Sequence, residues 1–228
     1  MMRRYQLLIT LIICILSAAC NDGDELLDNF TKDGPIFYAG KIDSLKIQSG
    51  LHRIKVNIYP SEDVNHDFCI LNWNESDGLK DSVLVPYTAD HFDEEAGCYF
   101  TYLDLPSIEG NLLIEAQNVD IFENRSLILG QGAFIYGETY VATLLNSNIT
   151  FSDSVHLTFE NRLRSVGNLI SYQKDDGTFT VDSLVTKDTF SLVDPLQGGL
   201  IRTKTLYLID PSDIDTLITN SYLETPIP

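Results

Sequence analysis

Short runs in which apolar and polar residues alternate recur along most of the chain, and they restrict the fold more than any other feature. His52 to Tyr59 reads HRIKVNIY, and Ile54, Val56 and Ile58 fall on one face, as the two-residue repeat of an extended strand requires. Lys41 to Gln48 (KIDSLKIQ) precedes it across Ser49-Gly50, so the two read as adjacent strands with a turn between them. The same pattern predicts strands over Asp67 to Asn74, Ser82 to Tyr87, Cys98 to Leu105 and Asn111 to Asn118, the last two split at Pro106. Leu127 to Tyr136 makes a seventh, with a bend expected near Gly130 and Gly132. Seven short strands in about 100 residues point to an immunoglobulin-like or fibronectin-type sandwich. No long segment carries a helical period.

The pattern restarts after Tyr140. Ser154 to Glu160, Asn168 to Gln173, Thr178 to Leu184, Thr189 to Val193, Leu200 to Leu208 and Asp215 to Tyr222 are strand candidates. The turns Asp175-Asp176-Gly177 and Gln197-Gly198-Gly199 suit positive backbone angles. The chain therefore reads as all-β, with two tandem β-sandwich domains, one over 35–140 and a smaller one over 141–228. Their boundary falls near Glu138 to Ser147, and no repeat between the halves is evident in the sequence.

Residues 1–19 have a different character. Arg3-Arg4 leads into the apolar stretch Leu7 to Leu16 and then Ser17-Ala18-Ala19, the layout of an export signal peptide. The apolar run is shorter than the roughly 20 residues that span a bilayer, and acids rather than bases follow it. Leu16 to Cys20 (LSAAC) resembles a bacterial lipobox, in which the cysteine thiol takes a diacylglycerol and becomes the mature N-terminus. Cys20 is thus the candidate lipid anchor, with plain secretion as the alternative. Residues 20–34 form an acidic tether, and Asn21 to Glu25 (NDGDE) resembles the export tag of surface-displayed Bacteroidetes lipoproteins.

Charge excludes one class of partner. The chain has 33 acidic and 15 basic residues. Losing Arg3 and Arg4 with the leader leaves 13 bases, and 13 less 33 gives a mature net charge of −20. Phosphates would be repelled, so nucleic acid is not an expected partner. A 44% hydrophobic composition is that of a folded protein rather than a disordered one.

Little suggests catalysis. His52, His66, His91 and His156 are scattered over different predicted elements. No nucleophile elbow, zinc-protease helix, phosphate loop or dinucleotide fingerprint is present. His91 to Glu95 (HFDEE) offers oxygen ligands for calcium but lacks an EF-hand spacing, and reads as a solvated loop. No metal or other cofactor is expected, nor enzymatic activity. After export two cysteines remain unmodified, Cys69 and Cys98. They form a possible disulfide, or two buried thiols acting as small hydrophobes.

Further stretches resemble a known family. Tyr38 to Lys46 (YAGKIDSLK) with Gly50 and Arg53-Ile54-Lys55 resembles the opening of Bacteroidetes lipoproteins of the domain-of-unknown-function 4998 type, with Ala39 where a proline is usual. Ile70 to Asn74, Asn124-Arg125-Ser126, Gly132 to Tyr140 (GAFIYGETY), Arg202-Thr203, Asp210-Pro211 and Ile214-Asp215-Thr216 match its later motifs. The resemblance implies a fibronectin III-like sandwich followed by a second β domain. It also implies a cell-envelope lipoprotein associated with glycan utilisation and outer-membrane import machinery, and it assigns no catalytic residues.

The expectation is a non-catalytic lipoprotein of the outer membrane, displayed on the cell surface or facing the periplasm, that binds glycan or scaffolds a glycan-uptake system. The alternative is a structural or adhesion spacer. Trp73, Tyr87, Tyr99 and Tyr102 are candidate stacking platforms for sugar rings, although each also suits a core or its rim. Tyr136 and Tyr140 read as interdomain packing residues. Ser44, Ser82, Ser154, Ser183 and Thr216 each follow an aspartate and precede an apolar residue, which resembles a Bacteroidetes O-glycosylation acceptor.

Overall fold

In the first half of the chain, side chains alternate between a dry interior and a wet exterior. This computed structural model describes residues 38–62, 65–75 and 78–228. The signal peptide, Cys20 and the acidic tether lie outside the described residues. Eight strands build the first sandwich: β1 (Ile42–Ser49), β2 (Arg53–Pro60), β3 (His66–Asn74), β4 (Lys80–Pro86), β5 (Phe92–Asp93), β6 (Cys98–Asp104), β7 (Gly110–Asp120) and β8 (Leu129–Ile135). They form two antiparallel sheets, ordered β1-β2-β6-β5 and β4-β3-β7-β8. In immunoglobulin lettering these are A-B-E-D against C′-C-F-G, the strand order of the immunoglobulin and fibronectin type III sandwich.

Alternation decides which side chains face inward. Ile54, Val56 and Ile58 of β2 are fully buried with Cys69 and Leu71 of β3 and Ile114 and Ala116 of β7. Burying one such large aliphatic side chain contributes roughly 1.5–3 kcal/mol, so these facing rows are the main force joining the sheets. Asn118 is a fully buried polar residue in this sandwich. It accepts from the Tyr87 hydroxyl and donates through Nδ2 to the Gly40 carbonyl at 2.9 Å, while its backbone N–H donates to Ser126 Oγ at 2.9 Å. A buried amide is tolerated when it is bonded in this way.

The second sandwich repeats the strand order without repeating the sequence. It contains β9 (Asn148–Phe151), β10 (His156–Glu160), β11 (Ser165–Tyr172), β12 (Ser183–Val185), β13 (Thr189–Ser191), β14 (Leu200–Tyr207), β15 (Leu217–Ile218) and β16 (Leu223–Pro226). The order β9-β10-β13 corresponds to A-B-E. The order β12-β11-β14 corresponds to C′-C-F, with the G position divided between β15 and β16, which both pair with β14. Leu157, Phe159, Ile170, Tyr172 and Ile201 form its core.

Several strand expectations need adjusting. The strand read over Asp215 to Tyr222 contracts to β15, two residues long, because Asp215 is committed to the first sandwich, and a separate strand, β16, follows it. The candidate at Thr178 to Leu184 shrinks to β12, since Asp176 Oδ1 accepts both Thr178 N–H (2.9 Å) and Thr178 Oγ1–H (2.6 Å) and holds that stretch in a turn. Gly177 and Gly198 have φ of 78° and 73°, as their turns require. Three strands, β5, β9 and β16, were not expected. Between the sandwiches lies the four-residue helix α1 (Glu138–Val141), whose Thr139 and Tyr140 N–H groups donate to Glu109 at 3.2 and 2.6 Å. Contacts join Ala39–Pro228 into one unit.

Candidate functional site

Four consecutive residues, Ser212 to Asp215, fasten the second sandwich to the turn between β1 and β2. Gln48 Nε2 donates to the Ser212 carbonyl at 2.7 Å, and Ile214 N–H donates to the Ser49 carbonyl at 2.9 Å. The Tyr136 hydroxyl donates to Asp213 Oδ2 at 3.0 Å. Asp215 receives two bonds from Arg53, Nε to Oδ2 at 2.9 Å and Nη2 to Oδ1, and a third from Leu51 N–H at 2.9 Å. Gly50 is required at this place by close approach. A Cβ there would lie 2.5 Å from Asp215 Oδ2 and 2.8 Å from Ile214 Cγ1.

The two aspartates of this segment titrate in opposite directions. Hydrogen bonds from Arg53, aided by Leu51 N–H, hold the Asp215 carboxyl below its usual range against the effect of partial burial. Burial pushes the Asp213 carboxyl up, and the Asp210 N–H and Tyr136 bonds offset this only in part. Beside them, Tyr136, Val141, Tyr207 and Leu217 are buried in a third apolar cluster, with Phe134, Tyr140 and Ile209 packed on it. The rings of Tyr136 and Tyr140 lie 4.8 Å apart.

Next to the junction, β1 and β2 form the floor of a groove of about 560 Å³ that Ala96 and Gln131 also line. Strand alternation puts Lys46 and Gln48 of β1 beside Lys55, Asn57 and Tyr59 of β2, and Ser212 of the second sandwich closes one side. The floor amides are already committed. Asn57 Nδ2 donates to Gln48 Oε1 at 3.2 Å and to the Lys46 carbonyl at 3.4 Å, while Gln48 Nε2 bonds to Ser212. Lys46 Nζ lies 5.0 Å above the Tyr59 ring and Lys55 Nζ lies 4.7 Å above that of Phe100. The arrangement is a rigid polar floor with amines and rings on its rim, suited to holding a hydroxylated ligand.

A family model, DUF4998, described as a domain of unknown function, matches residues 20–217. The chain belongs to this family. Five of the residues in stretches that resemble the family's motifs meet at the junction: Gly50, Arg53, Tyr136, Tyr140 and Asp215 all pack or bond there. In this DUF4998 protein those five residues help build the contact between sandwiches. No curated protein matches the chain.

Among solved structures, the chain is similar to the FN1–FN3 domains of chicken CNTN1, at 8% identity and TM-score 0.40, covering 85% of this chain and 69% of that one. It is similar to a two-domain fibronectin type III segment of chicken tenascin, at 12% identity and TM-score 0.32, covering 81% and 99%. A third similarity is to a family 76 glycoside hydrolase from a bovine Bacteroides thetaiotaomicron strain, at 14% identity and TM-score 0.35, covering 43% of this chain. The DUF4998 chain spans 21% of that hydrolase. The fold assignment rests on the strand orders themselves.

The residues singled out from the sequence disperse. Trp73 is buried and donates through Nε1 to Glu75 at 3.0 Å, while Tyr87 and Tyr99 pack on the first core. Tyr102 alone of the four platform candidates is well exposed, at 51%, on the same sheet face as the groove. Cys69 lies in the first core, where burial pushes its thiol up to about 12. Cys98 faces the opposite way, since its neighbour Tyr99 packs on that core, and its Sγ lies 3.8 Å from Asn57 Oδ1. Both thiols are free and buried.

Asp93 of the HFDEE segment bonds to Lys55 at 3.4 Å and to Ala96 N–H at 3.0 Å. Among the described residues no group of three or more His, Cys, Asp or Glu could hold a metal. Ser82, Ser183 and Thr216 are exposed, whereas Ser44 and Ser154 are half-buried. Lys46 and Lys55 of the groove lie in the stretches that resemble the family's opening motif, which by itself marks no ligand site. Their signal was the polar phase of β1 and β2, which gathers Lys46, Arg53 and Lys55 on one face of an acidic chain.

Proposed function

We propose that this DUF4998 protein is a non-catalytic envelope lipoprotein that binds glycan beside an outer-membrane glycan-uptake system, using the groove on its first sandwich. The groove is the observation that supports this reading: an ordered floor of amides flanked by amines and aromatic rings, with space in the roughly 300–1,000 Å³ range typical of ligand sites. The anchor is Cys20, acylated after removal of residues 1–19, and the acidic tether presents the sandwiches outward from the outer membrane. Partners are polysaccharide and glycan-import proteins. A glycan array probed with the soluble chain from Asn21 to Pro228 tests the binding role, and retention of no polysaccharide would remove it. Replacing Cys20 by Ala is expected to release the protein from membranes, and continued acylation of that variant would overturn the anchor assignment.

A second reading, a structural or adhesion spacer, draws on the junction. Arg53, Gln48, Ser49 and Tyr136 all hold the segment from Ser212 to Asp215, which suits a rigid rod better than a flexible string. This role survives a negative array.

A further inference from the structure

The groove differs in charge from the molecule that carries it. The chain has 33 acidic and 15 basic residues, yet the described lining contains Lys46 and Lys55 and no carboxylate. Lys46 has no ion-pair partner among the described residues. Lys55 has one, Asp93, at a long 3.4 Å. Lys46 stands opposite Asn57, and Lys55 stands opposite Gln48. The two lysines are therefore diagonal neighbours on one sheet face, a spacing of about 7–8 Å between backbones that long side chains readily close.

Both ammonium groups stand on this face, Lys46 over Tyr59 and Lys55 over Phe100 with Asp93 beside it, and an anion between them would be attracted to both. The floor amides are partly engaged: Gln48 donates one N–H to Ser212, and Asn57 donates to Gln48 and the Lys46 carbonyl. Each ammonium keeps donors to spare, because its contact with a ring uses none of its three N–H groups. A ligand entering the groove thus meets charged donors first.

We infer that the groove selects an anionic saccharide, one whose carboxylate or sulfate sits between Lys46 and Lys55 while its ring lies over the Gln48–Asn57 floor. This rests on the glycan-binding reading and narrows it to a charge class. A polyanion has no general reason to approach a protein of net charge −18, so retention would report a local site.

The test titrates the detergent-solubilised full chain with polygalacturonate, dextran sulfate and uncharged dextran at low and at raised salt. Binding of either charged polymer, weakened by salt and absent for dextran, supports the proposal, and the two charged arms distinguish carboxylate from sulfate. Lys46→Gln is then expected to weaken binding roughly threefold to tenfold, and Lys46→Glu by more, with the unfolding temperature unchanged in both. Equal binding of dextran, or binding indifferent to both Lys46 substitutions, overturns the charge class while leaving glycan binding intact. Retention of none of the three polymers, together with an empty glycan array, removes both.

Discussion

Replacing Asp215 by Ala is expected to loosen the join between the sandwiches while leaving both cores in place. The carboxylate accepts two bonds from Arg53 and one from Leu51 N–H, with its side chain 19% exposed and that of Arg53 44% exposed. Fully exposed pairs are worth about 0.2–1 kcal/mol, and breaking a buried pair costs about 3–5 kcal/mol. The intermediate exposure places this substitution near 2 kcal/mol. In a chain of this length that lowers the unfolding temperature by roughly 4–8 °C.

Arg53→Ala should cost less than Asp215→Ala, because it leaves the Leu51 N–H bonded. The double variant should fall short of additivity by about 1 kcal/mol. Calorimetry across pH adds a second check. The folded carboxyl titrates below its unfolded value of about 3.9, so its stabilisation is complete above that value and is lost as pH falls through the lower folded one. The gap between wild type and Asp215→Ala should be constant from neutrality to about pH 5 and shrink below pH 4. A gap unchanged at pH 3, or strict additivity with Arg53→Ala, would refute the ion-pair account.

Gly50→Ala should destabilise by about 1–3 kcal/mol, since its Cβ would meet Asp215 Oδ2 and Ile214 Cγ1; the cost should drop when Asp215 is also Ala, measurable by denaturant unfolding. Asp213→Asn keeps an acceptor for Tyr136 but removes a carboxyl that burial has pushed up. Its sign is opposite to that of Asp215: the charged form is penalised in the fold, so stability falls as pH rises through the folded value. The variant should therefore match or exceed wild type at pH 7 by a few tenths of a kcal/mol, after allowance for solvent screening. A thiol reagent at pH 8 should label neither Cys69 nor Cys98 in the native protein and both in denaturant. Failure to find two thiols after denaturation would contradict their free state.

Strand positions in the first sandwich were legible because one sheet face is apolar and the other polar, so period two survives in β1, β2, β3 and β7. The short β5, β9 and β16 were not, since two to four residues cannot establish a period. The shared strand order of the two sandwiches was hidden for a different reason. Order is set by which strands pair, and many unrelated apolar patterns satisfy the same pairing. The groove was half visible, in the basic polar phase of β1 and β2. Its closure by Ser212 depends on a contact across 164 positions, which local pattern does not encode. The same holds for Arg53 and Asp215, 162 positions apart. Aromatics misled as binding candidates because ring chemistry suits a core as well as a sugar. Trp73 went inside and Tyr102 outside with no difference in their local sequence that foretold it.

Tandem sandwiches are often treated as beads that can be cut from a string and rethreaded. The cluster of Phe134, Tyr136 and Tyr140 against Tyr207 and Leu217 makes these two poor beads. Excised alone, the first would bare three aromatic rings and an unpaired Arg53, and would lose the wall that Ser212 gives its groove. Such a fragment would be adhesive in solution and altered at its own binding face. For anyone building chimaeras from this chain, the smallest transplantable part is the pair.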